Sequence, residues 1–140
     1  MKRPDDVRRE FVRDRLRKAD HDLLPARVLL ESAPELAYGV AFHAQQAPEK
    51  HLKAVLVWHQ IEFGKTHDIG RIVDLLKLPA PALAEVVRDA AFLTPLGVEV
   101  RYPGEQADPS REEAAVALAI AERVRAAVLA HLPESLHPPR

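Results

Sequence analysis

The chain has no cysteine at all among its 140 residues. That excludes disulfide bonds, thiol nucleophiles and cysteine metal sites, without identifying a compartment. Serine is nearly as scarce. Ser32, Ser110 and Ser135 are the only three, and none lies in a Gly-x-Ser-x-Gly turn, so a serine hydrolase of that type is excluded. The five glycines form no phosphate-cradling pattern. No apolar run approaches the roughly 20 residues of a membrane-spanning helix. The opening MKRPDDVRREF lacks the apolar core of a signal peptide, so a cytoplasmic protein with no membrane partner is expected. Net charge is only −1, which provides no global field to recruit nucleic acid.

What is present is an ordinary globular composition, 47% hydrophobic and 29% charged. The length suits one domain, expected over residues 1–132, with 133–140 as a frayed tail after Pro133. Charge is uneven near the start. Between Lys2 and Lys18 there are eight basic residues against four acids. Such a local excess could touch phosphate, but the interspersed acids suit a solvated helix face.

Helical periodicity dominates the chain. Val12, Leu16, Ala19, Leu23, Ala26 and Leu30 form a buried stripe, predicting a first helix over about Pro4–Glu31 with a kink or break at Pro25. A second helix is expected over about Leu36–Gln60, bent near Pro48. After a turn containing Gly64, Asp68 caps a third helix with Ile69, Ile72, Val73 and Leu76 on one face. Pro79 and Pro81 precede a fourth with Leu83, Val86, Val87 and Ala90 inside. Gly97–Ala107 reads as an irregular connection. The last helix starts at a Ser110/Glu113 capping box or at the competing Asp108-Pro109 cap. Its inner row is Ala117, Ile120, Val124, Ala127 and His131. The reading is an all-α, up-and-down bundle of about five helices.

The second helix holds the most informative stretch. Phe42, Gln46, Glu49, Lys53 and Leu56 make one helical row, with polar groups where a buried row is normally apolar. Glu49 and Lys53 stand i,i+4 with the acid first, the favourable order for an ion pair. Two readings are open: a salt bridge with a hydrogen-bonded glutamine, or a polar seam of Gln46, Glu49 and Lys53 meeting a partner or ligand. Acid pairs such as Asp20/Asp22 and Glu112/Glu113 read as helix-surface or helix-start residues. The histidines His43, His51, His59 and His67 recur every eight residues, about 80° apart in succession on a helix, so they do not share a face. No helical zinc pair is present, and neither a metal nor another cofactor is expected.

The string FHAQQAPEKHLKAVL, followed by His67-Asp68-Ile69, resembles the second and third helices of the HEPN domain family (higher eukaryotes and prokaryotes nucleotide-binding). Asp22-Leu23, Ala26 and Leu29-Leu30 are similar to its first helix. Leu93-Thr94, Val98–Pro103 and Ser110–Ala114 match later segments in the family's order. Pro48 stands where the family usually has alanine. A HEPN-type module forming a homodimer is expected, with the polar seam of Gln46, Glu49 and Lys53 as its interface, because a two-fold axis lets such groups pair across it. The resemblance implies, as external partner, a small nucleotidyltransferase on a separate chain, as in toxin–antitoxin-like pairs. It also implies that a bound nucleotide would meet Lys53, His67, Arg101 and Tyr102. Many HEPN-like proteins are ribonucleases carrying arginine, four to six residues, then histidine. Arg101 is followed by no such histidine, so no catalytic residue is assigned and a non-enzymatic module is expected. Arg15…His21 and Arg125…His131 match the spacing, but on a helix their side chains lie about 120° apart. The alternative is a metal-independent ribonuclease acting on RNA with a non-standard site, either Arg101 with His67 or Arg125 with His131 across a dimer.

Overall fold

The computed structural model describes residues 3–96 and 109–139. Five α-helices order the chain: α1 (Pro4–Ser32), α2 (Ala37–Trp58), α3 (Ile69–Leu76), α4 (Pro81–Val86) and α5 (Arg111–His131). No strand occurs among the described residues. Arg101 and Tyr102, with the rest of the expected irregular connection, lie outside them. The helix α2 runs through the middle, packed against α1 on one side and α5 on another.

The apolar stripe of α1 buries Val12, Leu16, Ala19, Leu23 and Ala26 completely. The expected break at Pro25 does not occur: α1 is one continuous helix of 29 residues. Proline removes one backbone donor, but the neighbouring turns and the packing of Leu23 and Ala26 hold the helical course. Pro48 is likewise accommodated inside α2, itself buried. Gly39 permits the close approach of α2 to α1: a Cβ there would lie 3.2 Å from Leu29 Cδ1.

Gly64, at φ 62°, turns the chain toward α3, and Asp68 caps that helix by accepting from the Arg71 backbone N–H. Its Ile69, Ile72, Val73 and Leu76 face inward as expected. The fourth helix is shorter than its apolar pattern suggested. It stops at Val86, a 3-10 stretch continues over Arg88–Leu96, and Val86 is exposed while Val87 and Ala90 are buried. Leu83, Val87 and Ala90 follow one another by four and three and share the inner row, whereas Val86 lies about 60° off Leu83 on the far edge of that row, toward solvent.

Ser110, not Asp108-Pro109, supplies the cap of α5. Its hydroxyl accepts from Glu113 N–H while the Glu113 carboxylate accepts from Ser110 N–H, each at 3.0 Å. The inner row of α5 is Ala114, Ala117, Leu118, Ala121, Val124 and Val128; Ile120, Ala127 and His131 sit at its edge. Beyond Pro133 the chain makes a 3-10 turn, Glu134–Leu136, with Leu136 fully buried. Arg9 donates to the Ser135 hydroxyl at 3.3 Å, tying this segment to α1.

Candidate functional site

The polar row of α2 closes on itself inside one chain. Glu49, only 4% exposed, accepts from Lys53 Nζ at 2.9 Å, His67 Nδ1 at 2.6 Å and Gln45 Nε2 at 3.2 Å. Gln46 donates to the Gln45 side chain at 2.6 Å. Lys53 Nζ also lies 5.5 Å from the centre of the Phe63 ring, and the Arg15 guanidinium stands 5.4 Å from the same ring. Burial pushes the Glu49 carboxyl up, but the hydrogen bonds from Lys53 and His67 outweigh it and hold the carboxyl below its ordinary value. The seam therefore has its partners within the chain. His67 contributes from the loop before α3, so the cluster ties that loop to α2.

The structure thus brings together Gln46, Glu49, Lys53 and His67. Gln45 belongs with them and was missed, although its i,i+4 relation to Glu49 is the same spacing as Glu49–Lys53.

A second node joins α1, α2 and α5. Asp20 lies 2.8 Å from Arg125 Nε, 3.3 Å from the second Arg125 nitrogen and 3.2 Å from Nε2 of His51. His51 is buried. Burial raises the Asp20 carboxyl, yet hydrogen bonds from His51 and Arg125 bring it down to about 2. Burial lowers the His51 imidazole against the opposing pull of Asp20. Two residues along α1, Asp22 accepts from Lys50 at 2.6 Å and meets His43 Nδ1 at 3.0 Å. The reading of Asp20 and Asp22 as surface acids is corrected: both point toward α2, and Asp22 is 8% exposed. Their partners are 21 to 105 residues away in the chain, so no local spacing signals them.

Where α2 and α5 end, His59 and His131 meet with their Nε2 atoms 2.8 Å apart. Such a contact between imidazoles needs one proton between the two nitrogens, one ring donating and the other accepting. Burial, then the neighbouring His131 and Arg8, lower His59; burial lowers His131. Arg8 also donates to the Trp58 carbonyl at 3.1 Å and stacks over the Trp58 ring at 4.4 Å. The two arginine-histidine spacings consequently do not converge within the chain. Arg125 turns to Asp20 and His131 to His59, while Arg15 turns to Phe63. Arg125 does share a groove with His21 and Asp20, lying between α1, α5 and the C-terminal segment 136–139. Among the described residues no group of three or more histidine, aspartate or glutamate side chains could hold a metal ion. No helix among them is long and apolar enough to cross a membrane.

The model of the HEPN domain matches residues 12–132, so the chain belongs to the HEPN domain family. The fold is similar to the crystal structure of an archaeal HEPN homologue, with a TM-score of 0.65 and 25% sequence identity, over 94% of this chain and 98% of that one. No curated protein matches the chain.

Proposed function

We propose that this protein is a non-enzymatic HEPN-type interaction module that forms a homodimer and partners a separate small nucleotidyltransferase in a toxin–antitoxin-like pair. The observation that carries the non-enzymatic part is the engagement of Arg125 and His131 with different groups, Asp20 and His59, on different sides of α5. Phosphodiester cleavage without a metal needs a cation at the phosphate and an imidazole within reach of the moving proton. Here the cation is neutralised by a carboxylate held ionised, and the imidazole shares its proton with another ring. The choice of partner rests on the likeness to the HEPN family alone.

Lys53 and His67 serve Glu49 in this reading, not a nucleotide. The Lys53 side chain is 10% exposed and already paired. Titration of ATP or GTP by calorimetry is expected to give millimolar or no binding; micromolar binding lost on Arg101→Ala would contradict it.

The ribonuclease reading draws on one specific feature, the groove shared by Arg125, His21 and Asp20. Incubating the chain with mixed RNA in the presence of a chelator separates the two. The RNA is expected to remain intact. Cleavage that disappears in Arg125→Ala and His21→Ala, with helical circular dichroism retained, would make the protein an enzyme acting through that groove; loss in His131→Ala instead would place the site across a dimer.

A further inference from the structure

The outer face of α1, opposite its core stripe, presents His21, Leu24, Val28 and Glu31 to solvent. The spacing of three, four and three places them in one row along the helix. Leu24 is 59% exposed and Val28 52%, two large apolar side chains one turn apart in the middle of an otherwise polar face. His21 and Glu31 flank them, and neither has a side-chain partner among the described residues. Beside Leu24 runs a groove of about 550 Å³, lined by Leu136 and Pro138 and rimmed by Arg13, Arg17 and Arg125.

This row is complementary to itself when reversed. Lay a second α1 antiparallel to the first, with a two-fold axis level with residue 26. Leu24 then meets Val28 of the other copy, and His21 meets Glu31, on both sides of the axis at once. The apolar pair sits at the centre and the imidazole–carboxylate pairs lie outside it, the usual arrangement of a dry centre and polar rim. Val28 of the second copy comes down beside Leu24, next to the groove. A single surface that satisfies itself under a two-fold is what an isologous dimer requires.

We infer that the row His21–Leu24–Val28–Glu31 on α1 is the surface through which two copies of this chain pair, antiparallel, across a two-fold at the level of residue 26. The inference rests on the homodimer reading above and names its surface. It also relocates the interface: the polar groups of α2, whose pairing within the chain leaves nothing to be satisfied across an axis, are not part of it. The occupant is a second copy because the row contains its own complement in both chemistry and order.

Sedimentation velocity of the full chain at micromolar concentration tests this. The wild type is expected at twice 15.6 kDa. The double variant Leu24→Glu, Val28→Glu is expected at the single-chain mass with an unchanged helical spectrum, its association weakened at least about 30-fold, as for loss of a central contact pair. Both side chains are exposed, so the substitutions leave the core intact. A wild type that sediments as a monomer overturns both the dimer and this surface. A double variant that stays dimeric overturns the surface alone. Because the chain has no cysteine, single cysteines report the register. An equimolar mixture of Leu24→Cys and Val28→Cys chains is expected to form several-fold more disulfide-linked dimer under mild oxidation than either variant alone. Equal crosslinking in all three samples overturns the antiparallel register.

Discussion

Glu49 accepts from three side chains in a nearly dry setting, and the carboxylate is what makes Lys53 tolerable beside the core. Removing one member of a buried pair strands the other charge. Glu49→Ala is therefore expected to lower unfolding stability by about 3 kcal/mol in urea titrations. The double variant Glu49→Leu, Lys53→Met removes both charges at similar volume and is expected to recover most of that loss. Equal destabilisation by the single and double variants would show that the ion pair is not what the site depends on. At this scale the sequence was half legible. The i,i+4 pair could be read directly, because a helix repeats locally. Asp20 could not be placed, because its partners Arg125 and His51 arrive from other helices and depend on how three elements pack.

The C-termini of α2 and α5 meet through His59 and His131, and this junction responds to acid. Both imidazoles hold protons less readily in the folded chain than their ordinary value of 6.5. Below about pH 6.5 the unfolded chain thus binds more protons, and stability falls as pH falls. Protonating both rings would set two cations 2.8 Å apart with Arg8 nearby. His51 contributes in the same direction. The urea midpoint is expected to drop between pH 7 and pH 5, and the variant His59→Gln, His131→Gln is expected to show a shallower drop. An unchanged slope would remove this pair from the account. Asp20 acts lower on the scale. Its carboxyl goes from an ordinary 3.8 to about 2, so its contribution is complete above about pH 4 and is lost as pH falls toward 2. Among the elements, α1 was legible from its stripe and length and α3 from its stripe and its Asp68 cap, while two caps competed for the start of α5 and the structure selects Ser110. The winding of Arg88–Leu96 was not, since an apolar pattern of a few residues fits α- and 3-10 helix alike. Of the two outcomes expected at Pro25, the break does not occur, because packing on both sides holds the helix continuous.

At the level of the whole molecule, membership of the HEPN family and the helical bundle agree with the ordered motifs from Asp22 to Ala114. Several of those motifs sit where the bundle constrains residue type: the apolar stripe of α1, the buried Glu49–Lys53 pair and the Ser110 cap of α5. Partner choice is written on the surface instead, where exposed residues vary without cost to the fold, and no such local rule applies. In the reading proposed above, the chain acts by binding another protein. The most direct test of that reading is isolation of the chain, at native abundance and in gentle buffer, from the cells that make it. A small nucleotidyltransferase is expected to be recovered in stoichiometric amount, bound to a dimer of this chain. Recovery of the chain alone, with no stoichiometric protein partner, would contradict that reading.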